Sequence, residues 1–226
     1  DAESISATGA FDLSLDGGTL HADRFIGTLF NSGVTFSPGR PGTNSGVAHT
    51  TVTGNYVQGD GALEIQVGGT SPVSDFLTVS DNANLGGDLV ISVVNGHEPA
   101  QNSSFVVLRA DNVLQSYDNV VSGGRLFTAG GEGSYVVTIT QQASFGQVVL
   151  SNFLPQLDGD YNIDGMVTAA DYTVWRDNLG LEITLPNEVA TPGIVTQEDY
   201  IVWRNNFGAT AGASLQAGAS PPPAIP

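Results

Sequence analysis

Apolar and polar residues alternate through the first two thirds of the chain. Leu63-Glu64-Ile65-Gln66-Val67 turns three apolar side chains to one face, and Leu89-Val90-Ile91-Ser92-Val93 does much the same. That period of two belongs to half-buried strands. Further strands are predicted over residues 11–15, 34–36, 76–79, 105–108, 135–139 and 147–150. Between them stand the turn pairs Gly17-Gly18, Pro38-Gly39, Gly68-Gly69, Gly86-Gly87, Gly123-Gly124 and Gly130-Gly131. Short strands at such regular spacing belong to a β-solenoid, a sandwich or a barrel, and periodicity alone does not choose among them.

After Phe153-Leu154-Pro155 the period changes. Residues 168–179 are predicted to be a helix, with Thr168 as N-cap, Asp171 three residues on and Gly180 as the stop. Tyr172, Trp175 and Leu179 fall on one helical face. Residues 196–207 repeat the design with Asp199, Tyr200, Trp203, Phe207 and Gly208, offset by 28 residues throughout. The expected organisation is a β-rich domain over 1–152, a helical domain over 153–208 and an Ala/Gly/Ser/Pro-rich tail over 209–226.

Composition narrows the chemistry. The chain of 226 residues has no cysteine, which excludes disulfides, thiolate metal sites and a cysteine nucleophile. Its six basic residues are all arginine, so lysine-based chemistry is excluded too. A net charge of −17 repels nucleic acid and attracts divalent cations. No apolar run reaches the roughly 18 residues of a membrane span. The start at Asp1 fits a mature chain whose leader has been removed.

The sharpest constellation is Asp160-x-Asn162-x-Asp164-Gly165-x-x-Thr168-x-x-Asp171. Calcium takes six to eight hard oxygens. This 12-residue loop offers side-chain oxygens at positions 1, 3, 5, 9 and 12, the Met166 carbonyl at position 7, and glycine where the turn is sharp. The metal set is therefore Asp160, Asn162, Asp164, Met166, Thr168 and Asp171. The bland reading is an acidic surface turn that caps a helix without metal. The second loop places Glu188, Ala190 and Pro192 at the corresponding positions, and Ala and Pro have no side-chain oxygen. One calcium is expected, not two.

Catalytic patterns are weak. His21, His49 and His97 stand far apart, and neither a nucleophile elbow nor a nominated acid pair emerges. Trp175 and Trp203 could serve as sugar platforms, but helical spacing favours the core. Asn102-Ser103-Ser104 is a formal glycosylation sequon.

Three resemblances add to this reading. The loop and helices of residues 157–208 resemble a dockerin type I domain, whose first calcium loop also ends in Asp. That resemblance implies an EF-hand-like helix pair and a cohesin partner. Ala169, Ala170, Gln197 and Glu198 stand where cellulosomal dockerins carry a Ser-Thr pair, which puts cohesin binding in doubt. Gly27-Thr28-Leu29-Phe30-Asn31-Ser32-Gly33-Val34-Thr35-Phe36-Ser37-Pro38-Gly39 resembles the turns of autotransporter-like passenger repeats. It implies a mainly β fold: a short right-handed parallel β-solenoid with an antiparallel cap. The final Pro221-Pro222-Pro223-Ala224-Ile225-Pro226 is similar to the stub of a processed PEP-CTERM sorting signal. Together these imply a secreted, non-catalytic surface protein. Its expected partners are other copies of itself, with cell-surface polysaccharide or a cohesin-like protein as the alternative. A carbohydrate-active enzyme bearing an accessory dockerin is a third reading.

Overall fold

The computed structural model describes residues 5–13, 18–39, 47–68, 73–101 and 103–211. The end of the predicted strand 11–15, Gly17, Gly69, Asn102 of the sequon and the tail beyond 211 lie outside the described residues. The chain divides into two compact units, Asp1–Phe153 and Leu154–Pro226.

The first unit is built of strands. In chain order they are β1 (Ile5–Leu13), β2 (Thr19–Ala22), β3 (Arg24–Asn31), β4 (Thr35–Pro38), β5 (His49–Thr53), β6 (Tyr56–Gln58), β7 (Ala62–Val67) and β8 (Phe76–Val79). They continue as β9 (Asn82–Asn84), β10 (Asp88–Val93), β11 (Phe105–Ala110), β12 (Asn112–Leu114), β13 (Arg125–Phe127), β14 (Gly133–Gln141) and β15 (Gly146–Pro155). A parallel four-stranded sheet runs β10-β7-β4-β2. The other sheet, eleven-stranded, is a curled half-barrel in the order β12-β9-β6-β3-β5-β8-β11-β15-β14-β13, with β1 beside β3. Its early pairs are parallel, whereas β11 meets β15 and β13 meets β14 antiparallel.

The parallel register stacks like on like. Phe25 lies beside Val52 and Val52 beside Val79; Phe36 lies beside Leu63 and Leu63 beside Leu89. All of these side chains are buried in one core. Polar side chains stack as well. Asn55 donates to Thr28 Oγ1 across 27 residues, Asn82 to Asn55 Oδ1 across 27, and Asn112 to Asn82 Oδ1 across 30.

Residues 24–31 form one strand, bent at Gly27 (φ 118°), and Gly54 stacks on that bend with φ 137°. A Cβ on Gly54 would lie 2.2 Å from the Gly27 carbonyl oxygen, so glycine lets adjacent strands bend together. Strands such as β6, β9 and β12 have three residues each, too few for alternation to show.

The β10 edge of one sheet and the β12 edge of the other are each closed by a side chain. Asn119 imitates a peptide group against Leu89 of β10, accepting from its N–H at 3.1 Å and donating to its carbonyl at 2.9 Å. Gln141 does the same for β12, accepting from Val113 N at 2.8 Å and donating to the Asp111 carbonyl at 3.1 Å.

In the second unit, α1 (Ala169–Asn178) and α2 (Gln197–Asn206) each begin with a complete capping box, Thr168 with Asp171 and Thr196 with Asp199. Both end before a glycine in the left-handed region, Gly180 and Gly208. The repeats pair reciprocally. Gly180 N donates to Val195 O and Val195 N to Leu181 O; Gly208 N donates to Val167 O and Val167 N to Ala209 O. Such exchange of equivalent bonds is the signature of two-fold symmetry. Leu179 does not join the buried face as expected. It is the C-cap, where the backbone has left the helix, and its side chain is half exposed. Ala209 and Ala211 bond the first loop, and Thr210 bridges Met166.

Candidate metal centre

The loop of residues 160–171 is drawn around two buried carboxylates. Asp160 and Asp171 are 2% and 0% exposed. Left-handed turns at Ile163 (φ 58°) and Gly165 (φ 85°) curl the backbone back on itself. Asp160 Oδ1 then accepts from Asp164 N at 3.2 Å, and its Oδ2 from Gly165 N at 2.9 Å. Asp171 accepts from Asn162 N at 3.0 Å through Oδ1 and from Thr168 N at 2.8 Å through Oδ2.

The middle of the loop is held differently. Asn162 Nδ2 donates to Asp164 Oδ2 at 2.9 Å, while Asn162 Oδ1 accepts from Asp164 N at 3.0 Å. Asp164 Oδ1 accepts from Met166 N at 2.9 Å. Thr168 Oγ1 is engaged as the helix cap, accepting from Ala170 N at 3.2 Å. The Met166 side chain is exposed, so only its backbone carbonyl could serve a metal. Asp160 and Asp171 are thus fixed by the backbone, whereas Asn162 and Asp164 bond each other. Among the described residues no three His, Asp or Glu side chains already stand together as a metal cage.

The electrostatics fit a cation. Burial pushes the Asp160 carboxyl up from its ordinary value, the Gly165 and Asp164 N–H groups oppose this, and the charges of Asp171 and Asp164 push it up further. Each carboxylate has lone pairs beyond those its N–H donors occupy. A set of carboxylate, amide and carbonyl oxygens suits calcium or magnesium rather than a soft metal.

The second loop keeps the turn and loses the donors. Gly193 (φ 101°) repeats Gly165, yet Ala190 and Pro192 bring no side-chain oxygen. Glu188 Oε2 turns back to accept from Leu185 N at 2.8 Å. Asp199 Oδ2 accepts from Thr196 N at 2.7 Å and from Thr191 Oγ1 at 2.9 Å. Two links tie the loops together: Tyr161 OH donates to the Asp199 carbonyl at 2.6 Å, and Asn187 Nδ2 to the Asp160 carbonyl at 3.0 Å. Sequence comparison of the repeats misses both, because Tyr161 aligns with Val189 and Asn187 with Gly159.

Trp175 and Trp203 lie in the core of this unit, packed with Tyr172 and Tyr200. Their rings are spent on packing and give no open platform for a sugar. Arg176 pairs with its neighbour Asp177 at 2.8 Å, and Arg204 lies 5.9 Å from the Tyr200 ring centroid.

In the first unit His49 stacks on Phe76 and shares a hydrogen bond with Thr78. A residue that sequence reading passed over is Asp75. It is fully buried, and its two oxygens accept from Ala48 N at 2.7 Å and Gln66 N at 2.8 Å. Burial pushes its carboxyl up to about 7, against those two donors.

Fold and site together define a mainly β chain with a two-helix unit and one acidic loop. No family model, no curated protein and no solved structure matches it. Among the described residues no helix is long and apolar enough to cross a membrane.

Proposed function

We propose that this chain is a non-catalytic extracellular structural protein, a short right-handed β-solenoid followed by a dockerin-like helix pair that one calcium ion braces. The observation that carries the reading is the loop pair: two related helices share one core, and only the first loop offers a full set of hard oxygens. Calcium there would neutralise Asp160, Asp164 and Asp171 and stabilise the unit in proportion to its occupancy. Asp160 and Asp171 would hold the ion, with Asn162, Asp164, Thr168 and the Met166 carbonyl completing the set.

The solenoid reading rests on the Thr28–Asn55–Asn82–Asn112 ladder and the stacked core, which repeat once per coil. Self-association into a fibre, sheath or matrix follows from the remaining sheet edges. Asn119 and Gln141 close the β10 and β12 edges, so growth would use other faces.

A second reading has its own observation. Leu179, Leu181, Ile183 and Ile194 are large apolar side chains left exposed on the second unit. They favour a binding module for a cohesin-like partner. Sedimentation velocity of the full chain, with negative-stain microscopy, in calcium and in chelator separates the two. Calcium-dependent polymers support the first reading, and monodisperse monomers in both conditions overturn it.

A further inference from the structure

In the second loop the carboxyl groups of Glu188 and Asp199 face each other within hydrogen-bonding reach. Glu188 is 9% exposed and Asp199 is 0% exposed. Each has one satisfied oxygen and one bare one. Glu188 Oε2 accepts from Leu185 N, whereas Oε1 is buried with no partner. Asp199 Oδ2 accepts from Thr196 N and Thr191 Oγ1, whereas Oδ1 is buried with no partner.

Two bare carboxylate oxygens side by side in a buried site repel each other. A third group must lie between them. In the first loop the side chains that follow the leading Asp160 are Asn162 and Asp164, which can complete a cation's shell. Here they are Ala190 and Pro192, which cannot. A proton satisfies both oxygens at once, as in carboxylate pairs that share one. Asp199 Oδ2 accepts two bonds, from Thr196 N and Thr191 Oγ1, whereas Glu188 Oε2 accepts one, from Leu185 N, and each such donor favours the charged carboxylate. The proton therefore belongs on Glu188.

The geometry points to a proton site in the second loop: Glu188 is a neutral acid whose Oε1–H donates to Asp199 Oδ1, where the duplicated first loop would take a cation. The loop has kept the outer acids of the repeat and exchanged the metal for a hydrogen bond. The groups facing the pair agree. Tyr161, reaching over from the first loop, feels both acids and is itself influenced by Asp158 and Asp171; Glu198 stands beside Asp199 on α2. None of these is a cation. Burial and the Asp199 charge both push the Glu188 carboxyl up, opposed by the Leu185 N–H.

The sign of the consequence follows. An acid raised in the folded state binds more protons folded than unfolded. Stability from this pair is therefore present at low pH and is lost as pH rises from about 4.5 through the raised value.

The test is a residue-resolved NMR titration of the side-chain carboxyl carbons in the full chain, in calcium and again in chelator. The expected result is that Glu188 Cδ titrates above 4.5, its ordinary value, in both conditions. Titration at or below that value overturns the inference. So does displacement of the Glu188 proton by calcium or magnesium, which would make the loop a cation site. The first loop is followed separately at Asp160, so failure of calcium to bind there leaves this result readable. Glu188→Gln supplies a fixed N–H to Asp199 Oδ1. It should flatten the fall in melting temperature above pH 4.5, and an unchanged slope counts against the pair.

Discussion

Trp175 donates its indole N–H to the carbonyl oxygen of Thr196, 2.7 Å away. Trp203 makes the same bond, at the same length, to Thr168. Each tryptophan thus holds the cap of the other helix, which explains why the duplicated helices keep Thr and Trp in step while their loops have diverged. Trp175→Phe and Trp203→Phe should each destabilise the helical unit by about 1 kcal/mol, since each removes one part-buried hydrogen bond. Urea unfolding followed by far-UV circular dichroism measures both. Markedly unequal losses would break the two-fold account.

Much of this second unit was legible in the sequence. Thr168, Asp171 and Gly180, with their copies 28 residues on, announce the ends of both helices because capping is local chemistry. The Tyr161 and Asn187 cross-links were not legible, since each joins two loops and belongs to neither repeat pattern. The first unit was legible where strands were long. Leu63-Glu64-Ile65-Gln66-Val67 shows its alternation, while three-residue strands and the bend at Gly27 are set by the neighbouring strands. Asp75 gave no signal at all: its role depends on amides of Ala48 and Gln66, which only folding brings to it.

Asp75 makes the first unit sensitive to pH. With its carboxyl raised from 3.8 to about 7, the folded chain retains a proton that the unfolded chain releases. Stability should therefore fall as pH rises from 3.8 to about 7. Hydrogen exchange at the Ala48 and Gln66 amides reads this locally. Asp75→Asn should abolish the slope and cost about 1–3 kcal/mol, because its NH2 must face one of two N–H donors. Exchange that slows with rising pH, after correction for intrinsic rates, would contradict it.

The side-chain caps predict how the chain meets other copies. Gln141→Ala and Asn119→Ala uncover backbone groups on β12 and β10, leaving strand edges free to pair. Each should cost about 1 kcal/mol of stability. The double variant should sediment as larger species than the native chain at equal concentration. Unchanged sedimentation would show that these amides do not guard the edges.

Calcium should stabilise the helical unit while leaving the strands of the first unit unmoved. At a free concentration one hundred times Kd the gain is about 2.7 kcal/mol. Thermal unfolding in calcium and in chelator, read by tryptophan fluorescence, reports on this unit because both tryptophans lie in it.

The most direct measurement is calcium titration calorimetry on the full chain after chelator treatment. The account predicts one ion per chain, and none once Asp160→Ala removes the acid that gathers the Asp164 and Gly165 amides. Two ions per chain, no binding to the native protein, or binding that survives Asp160→Ala would contradict it.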